Sequence, residues 1–265
     1  MLAPELKLPR EASPGTRRLF STLKFSLAGV ATSMRRIEEN ARRYSASCDE
    51  HPDSTDWGLY QEFVVDTWHL IDDCRRCYRI LYFNRKLFGS FLGEELNAYL
   101  HKYEKLKDAR DYWQHVEREH KEIGSKHQCA SGYFTFVRKI DSGLFTQYHL
   151  MAGLIRDKSI PLAPDHPTVQ VDPPEEFSQF TFLIGDLVIV LQDLVDDTLR
   201  VGGRTLDSCR SAIRRAIIEA GQQPTEERDD LAFHLNGQSE SHARKHGTVD
   251  FNDASLSRFR PGSSI

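Results

Sequence analysis

The sequence of 265 residues lacks long apolar runs, abundant cysteine and a strong net charge. No apolar run approaches the ~20 residues that a helical membrane span requires, so we expect no membrane partner. The first residues do not resemble a signal peptide, and only five cysteines occur in the chain, which together predict a cytoplasmic protein in a reducing compartment. The net charge of −4 gives no global field for a polyanion, so a nucleic-acid contact must use a local basic patch.

Apolar residues recur at alternating spacings of three and four in the first third of the chain, which is typical of amphipathic helices. This pattern predicts a long helix over about residues 16–45 and a second over about residues 59–85. The apolar stripe of the first helix is Phe20, Leu23, Leu27, Val30, Met34, Ile37, Ala41 and Tyr44. The stripe of the second is Tyr60, Val64, Thr67, Ile71, Cys74, Tyr78 and Leu81.

The same spacing predicts shorter helices over about residues 92–105, 109–123, 175–199 and 206–220. Asp108 is the predicted N-cap of the helix that follows it, with Asp111 as the reciprocal acid of a capping box. Gly202 and Gly203 are predicted to end the helix over 175–199, because glycine is favoured just past a helix C-terminus.

Residues 132–139 and 144–150 are aromatic and β-branched, and the turn residues Asp141 to Gly143 separate them. They predict a β-hairpin, with a short third strand at 169–171, inside an insert at about 130–172. Residues 1–15 are predicted to form a flexible arm and the polar residues 222–265 a disordered tail. The fold predicted for residues 16–221 is therefore an all-α, up-and-down helical bundle of four to five main helices with a small antiparallel β-hairpin insert.

Two pairs of adjacent acids, Asp72–Asp73 and Asp196–Asp197, resemble paired-carboxylate magnesium ligands. Arginine follows each pair three to four residues later, so ion pairs along one helix are the favoured interpretation. Cys74 and Cys77 form a C-x-x-C motif, but Cys74 lies on the apolar stripe and no second cysteine pair is near. Core packing is favoured there, and we predict neither a metal site nor a cofactor.

Basic residues cluster on the outer face of the first helix. The cluster consists of Arg35, Arg36, Arg42 and Arg43. A solvated helix face explains them more simply than an RNA-binding patch does. His69 lies off the apolar stripe and is predicted to be a surface residue.

The segment from Arg110 to His115 carries the strongest functional signal. Asp111 and His115 are four residues apart on the predicted helix, so the carboxylate can orient the imidazole. Arg110 and His115 are five residues apart, which separates them by roughly 140° around a regular helix. Either Arg110 reaches round the helix, or a second copy of the chain supplies the partner group.

An arginine, an adjacent polar residue and a histidine at R-x4-H spacing on a helix of an all-α bundle resemble the HEPN family. Many members of that family are metal-independent ribonucleases. The resemblance rests on Arg110, Asp111 and His115, and it covers about the first two hundred residues. It implies a fold of packed helices, RNA as substrate, and cleavage in which the ribose 2′-hydroxyl attacks the adjacent phosphate. It also implies that two motifs meet at a homodimer interface.

The resemblance assigns His115 to proton exchange, Arg110 to the phosphate and Asp111 to orientation of the imidazole. Three hypotheses remain open at this point. The first is a metal-independent endoribonuclease acting on RNA. The second is a catalytically silent bundle that binds a protein partner or a nucleotide. The third is a structural bundle in which the R-x4-H spacing arose by chance.

Overall fold

The computed structural model describes residues 8, 12–50, 56–109, 132–141, 144–151, 176–184 and 187–224. The helices are α1 (Pro14–Glu50), α2 (Trp57–Phe83), α3 (Arg85–Lys102) and α4 (Leu191–Glu219). The strands are β1 (Tyr133–Asp141), β2 (Leu144–Met151), β3 (Phe177–Ile184) and β4 (Leu187–Val190). Helix accounts for 75% of the described residues, which confirms a mainly helical fold. No helix in this part of the chain is long and apolar enough to cross a membrane.

α1 and α2 form a long antiparallel pair. Asn40 of α1 hydrogen-bonds Asp66 near the start of α2, whereas Gly29 lies against Asp73 further along α2. Asp56 is the N-cap of α2, and its carboxylate accepts hydrogen bonds from the amides of Gly58 at 3.0 Å and Leu59 at 3.1 Å. The predicted stripe of α1 is confirmed, because its residues from Phe20 to Ala41 are buried in the core. His69 is exposed, as predicted.

The four strands form one antiparallel sheet in the order β2-β1-β3-β4. Its buried aromatic residues pack on α2. The ring of Phe63 lies 5.1 Å from that of Phe134, and the ring of Trp68 lies 5.2 Å from that of Phe182. α2 is therefore buried against both α1 and the sheet, which explains why its buried face is wider than the predicted stripe.

The prediction of a helix starting near residue 175 is wrong, and the β insert is larger than a hairpin. Residues 177–190 form β3 and β4, and helix begins only at Leu191. Gln179 has φ 54°, and the pairing of β1 with β3 shifts register opposite it. This bulge brings Phe177 and Phe180, three residues apart, onto the same buried ring of Phe136, at 6.2 and 5.7 Å. Because Phe177 and Phe180 are three residues apart, their spacing resembles that of apolar residues on one face of a helix.

The glycine pair does not end a helix, which corrects a second prediction. α4 continues through Gly202 and Gly203 to Glu219 and absorbs the separate helix predicted over 206–220. A Cβ atom on Gly202 would lie 2.6 Å from Cδ2 of Leu27, a fully buried residue of α1. Gly202 therefore allows a close approach of α1 and α4, whereas nothing lies within 4 Å of the corresponding point on Gly203.

These adjacent glycines give a matched pair of variants. Alanine normally stabilises a helix interior by about 1 kcal/mol relative to glycine. At Gly203 we expect that gain, whereas at Gly202 overpacking against Leu27 should exceed it and lower the free energy of unfolding by roughly 1–2 kcal/mol. Urea unfolding of Gly202→Ala and Gly203→Ala measures both changes. Equal effects from the two variants would contradict the close helix approach.

α3 starts at Arg85, earlier than predicted, and its axis breaks at Gly93, which has φ 47°. The predicted start near residue 92 therefore coincides with this kink. The predicted third strand at 169–171 lies outside the described residues, as do residues 225–265 of the predicted tail. Of the predicted N-terminal arm, residues 8 and 12–15 are described: Leu8, Ala12 and Ser13 are buried, and Pro14 and Gly15 begin α1.

Candidate functional site at the α3–α4 edge

Arg110, Asp111 and His115 lie outside the described residues, which reach Ala109 and resume at Gly132. Their mutual geometry therefore stays a prediction. The structure does show what immediately precedes them. Residues 106–109 form a helical turn in which Leu106 and Ala109 are buried, with 3% and 1% of their surface exposed. The turn contains Asp108, so the prediction that Asp108 caps the helix from outside is wrong.

Asp197 of α4 binds the residues at the end of α3, shortly before the turn at 106–109. Its carboxylate accepts hydrogen bonds from Lys102 Nζ and the Tyr103 hydroxyl, both at 2.8 Å. Arg200, one turn further along α4, donates to the same carboxylate at 2.7 Å. Partial burial alone would raise the pKa of Asp197, but these three donors lower it to about 2. The carboxylate therefore stays ionised at neutral pH and anchors the end of α3.

Further contacts extend the polar edge between α3 and α4. Arg200 and Arg204 both donate to Glu95 of α3. Deeper in the interface, the hydroxyls of Tyr99 and Thr198 are hydrogen-bonded at 3.0 Å. Burial raises the pKa of Tyr99 well above its usual value, so this phenol stays neutral. Asp197 stays ionised and Tyr99 stays neutral near neutral pH, and the edge supports the segment that leads to Arg110.

The role of Asp197 can be tested through the pH dependence of stability. Its pKa is lower in the folded protein (about 2) than its ordinary value of 3.8, so its stabilisation is complete above about pH 4. That stabilisation is lost as the pH falls through about 2. We expect Asp197→Asn to cost about 1 kcal/mol at pH 7, since Lys102 and Arg200 are half-exposed and solvent weakens their attraction.

The matched control is Asp193→Asn, because Asp193 is 60% exposed and lies 3.7 Å from the same Lys102 ammonium. We expect a change of roughly 0.5 kcal/mol or less for this control. Denaturant unfolding between pH 7 and pH 2 measures both variants. A cost for Asp197→Asn that stays constant over this range would show that the lost charge is not the cause.

The predicted ion pairs at the two Asp-Asp pairs are confirmed. Arg76 lies 2.9 Å from Asp73, and Arg200 lies 2.7 Å from Asp197, each within one helical turn. Among the described residues no group of three or more His, Cys, Asp or Glu side chains could hold a metal ion.

The predicted core packing of Cys74 and Cys77 is also confirmed, because both are fully buried. Burial raises the pKa of the Cys74 thiol to about 12, so it remains protonated.

Two of the four outer arginines of α1, Arg36 and Arg43, face acids of α2. Arg43 donates to Glu62 at 2.6 Å, and Arg36 lies 3.7 Å from Asp66. Asp66 is buried and accepts from Asn40 at 3.0 Å, and its burial raises its pKa. These pairs line a pocket of about 650 Å³ between α1 and α2. Since acids already neutralise its arginines, this pocket supplies no unbalanced charge for an anionic ligand.

A second arginine cluster was missed by the sequence reasoning. It forms a groove of about 430 Å³, called here the arginine groove, lined by Asp72, Arg75, Arg76, Arg79, Ile80, Phe83 and Asn84. The available signal was the spacing of Asp72, Arg76, Arg79 and Phe83, which recur every three or four residues and so share one face of α2. The predicted ion pairs with the preceding acids concern Arg75 and Arg76 and do not include Arg79.

No protein-family model, curated protein or solved structure matches this chain.

Proposed function

We propose that the protein is a HEPN-like, metal-independent endoribonuclease with Arg110, Asp111 and His115 as its catalytic residues. The observation that carries the proposal is the R-x4-H spacing, which begins one residue after the buried helical turn at 106–109. His115 exchanges a proton with the ribose 2′-hydroxyl or the leaving oxygen. Arg110 presents its donors to the phosphate as charge develops there. Asp111 orients the imidazole.

The helix directions support an up-and-down bundle, the architecture that the resemblance implies. α1 and α2 are antiparallel, as the contacts of Asn40 and Gly29 show. α3 and α4 are also antiparallel, because Tyr99 pairs with Thr198 whereas Lys102 pairs with Asp197, earlier in α4. Each of these two helix pairs is therefore antiparallel, as neighbouring helices are in bundles with short connections.

The anchored end of α3 supports a defined position for the motif. A catalytic group must be held close to its productive geometry by supporting residues. Lys102 and Tyr103 are fixed by Asp197, and Leu106 and Ala109 are buried in the core. The residues that directly precede Arg110 are therefore held in place by packing and hydrogen bonds.

We further propose that the active enzyme is a homodimer in which each copy supplies one R-x4-H motif. The motivating observation is that Arg110, Trp113 and Glu117 continue the apolar spacing of the preceding segment, so charged groups fall on a face suited to contact. One chain has a mass of 30.5 kDa, and light scattering at tens of micromolar should give twice that mass. A monomer that nevertheless cleaves RNA would refute the shared-site arrangement.

The experiment that tests the activity is cleavage of single-stranded RNA with EDTA present. The proposal expects cleavage that leaves a 2′,3′-cyclic phosphate, because the neighbouring hydroxyl is the nucleophile. RNA in which that hydroxyl is methylated should remain intact. Binding of RNA without any cleavage would instead support the catalytically silent alternative.

A further inference from the structure

We infer that the arginine groove and the aromatic residues beside it form a binding surface for single-stranded RNA. The inference deepens the proposed function by giving the RNA a docking surface, and its choice of ligand rests on that proposal. The surface lies on the C-terminal half of α2 and at the start of α3. It consists of Arg75, Arg76, Arg79, Tyr82, Phe83 and Arg85.

The charge of this surface suits a polyanion. Arg76 is paired with Asp73 at 2.9 Å. In contrast, within the described ranges no carboxylate oxygen lies within 4.0 Å of the guanidinium of Arg79 or of Arg85. Both guanidiniums instead lie over aromatic rings, Arg79 at 5.7 Å from the centre of Phe83 and Arg85 at 4.9 Å from the centre of Tyr82. Two cations are thus held in place on apolar supports with donors available to phosphate oxygens.

The aromatic rings supply the second half of the recognition. Phe83 is 70% exposed and Tyr82 is 40% exposed. Their rings are 5.6 Å apart and nearly perpendicular, and Tyr82 is stacked on Tyr78 at 6.0 Å. Exposed rings beside arginines are the arrangement that stacks unpaired bases while cations bind the backbone. A duplex would hide its bases from these rings, so single strands are favoured.

The rings also connect the groove to the residues that precede the R-x4-H motif. Tyr78 lies 6.3 Å from Tyr99, and Tyr99 lies 5.2 Å from Tyr103, measured between ring centres. Tyr103 is held by Asp197 at the end of α3, close before Arg110 in the sequence. The ring contacts therefore link the part of α2 that carries the groove to the end of α3, from which the chain leads into the proposed catalytic segment.

The test measures binding without cleavage. Full-length wild-type protein is titrated into a fluorescently labelled, unstructured 2′-O-methyl oligouridine, which lacks the nucleophilic hydroxyl, and anisotropy gives the Kd. We expect Phe83→Ala to raise the Kd about tenfold, as the loss of one base–aromatic stack does. We expect Arg79→Gln to weaken binding and to lower the slope of log K against log salt by roughly 0.7, the value for one phosphate contact.

The chain offers matched controls for both variants. Phe25 on α1 is 65% exposed, so Phe25→Ala removes a comparable surface ring, and Arg35→Gln removes a comparable surface charge. We expect both controls to bind as the wild type does. A duplex of the same sequence should bind less tightly than the single strand, and Phe83→Ala should not affect it.

The inference is overturned if Phe83→Ala binds as tightly as wild type, or if the controls weaken binding as much as the groove variants. Equal competition by polyglutamate together with no effect of Phe83→Ala would identify a general anion surface, which also overturns it. Binding that depends on Phe83 in a protein that never cleaves unmodified RNA would retain the docking surface and refute the endoribonuclease. Cleavage that is insensitive to Phe83→Ala would retain the endoribonuclease and refute the docking surface.

Discussion

His115→Ala is expected to lower the rate of RNA cleavage by roughly 10²–10⁴-fold, the usual contribution of a proton-transfer residue. The expectation follows from the R-x4-H spacing and from a histidine pKa that ordinarily lies near neutrality. The sequence pattern places His115 off the apolar stripe, so its truncation should change the free energy of unfolding by roughly 0.5 kcal/mol or less. Initial rates of cleavage with EDTA present, together with thermal melts, measure both quantities.

His101→Ala is the control for this variant, because His101 is an exposed histidine of α3 in the same part of the chain. It should retain the wild-type rate. Arg110→Ala should lose activity to a similar extent, and Arg110→Lys should recover only part of it, since lysine keeps the charge without the forked donors. Equal cleavage by His115→Ala and wild type would refute the proposed chemistry. A large fall in melting temperature for His115→Ala would mark the residue as structural.

Phe136→Ala is expected to lower the free energy of unfolding by roughly 3–5 kcal/mol, the range for truncation of a buried phenylalanine. Phe136 is fully buried in β1 and its ring is stacked on Tyr148 of β2 at 4.7 Å. Its other ring neighbours are Phe63, Phe134, Phe177 and Phe180, all within 6.3 Å. Because these rings belong to α2 and to three strands, the cavity would loosen the whole contact between sheet and helix. That cost is a large fraction of a typical stability of about 5–15 kcal/mol.

Urea unfolding followed by far-ultraviolet circular dichroism and by tryptophan fluorescence measures this effect. The two signals should change together, because Trp68 of α2 packs on Phe182 of β3 and so reports the same interface. Phe25→Ala is again the surface control, with an expected change of roughly 0.5 kcal/mol or less. If the fluorescence transition moved and the helical signal did not, the sheet would be a separate unit of folding.

The long helices α1 and α2 could be predicted from the sequence because their apolar stripes are regular over many turns. The stripe of α1 illustrates this, since it is buried along its whole length from Phe20 to Ala41. β3 could not be predicted in this way. It is buried on both sides, and the bulge at Gln179 spaces Phe177 and Phe180 like residues of a helix. Local periodicity carries no information about which partner strands are present.

The role of the glycine pair and the existence of the arginine groove could not be predicted from the sequence, for a different physical reason. Gly202 is compatible with a helix end, and only the position of Leu27 on a distant helix shows that it serves close packing. The predicted ion pairs of α2 concern Arg75 and Arg76, and spacing alone does not show that Arg79 rests on the ring of Phe83. The candidate catalytic residues Arg110, Asp111 and His115 follow from spacing and resemblance alone, and they stay predictions.

The position of α4 in the chain has a consequence for synthesis on the ribosome. α4 is the last helix of the described chain to be made, yet it covers Leu27 of α1 and hydrogen-bonds Tyr99 of α3 from a residue 99 positions later. A nascent chain that lacks α4 therefore carries α1 and α3 with apolar surface open to water. Such contacts between distant parts of a sequence close slowly and leave intermediates prone to association. The newly made protein should consequently depend on chaperones until α4 has emerged.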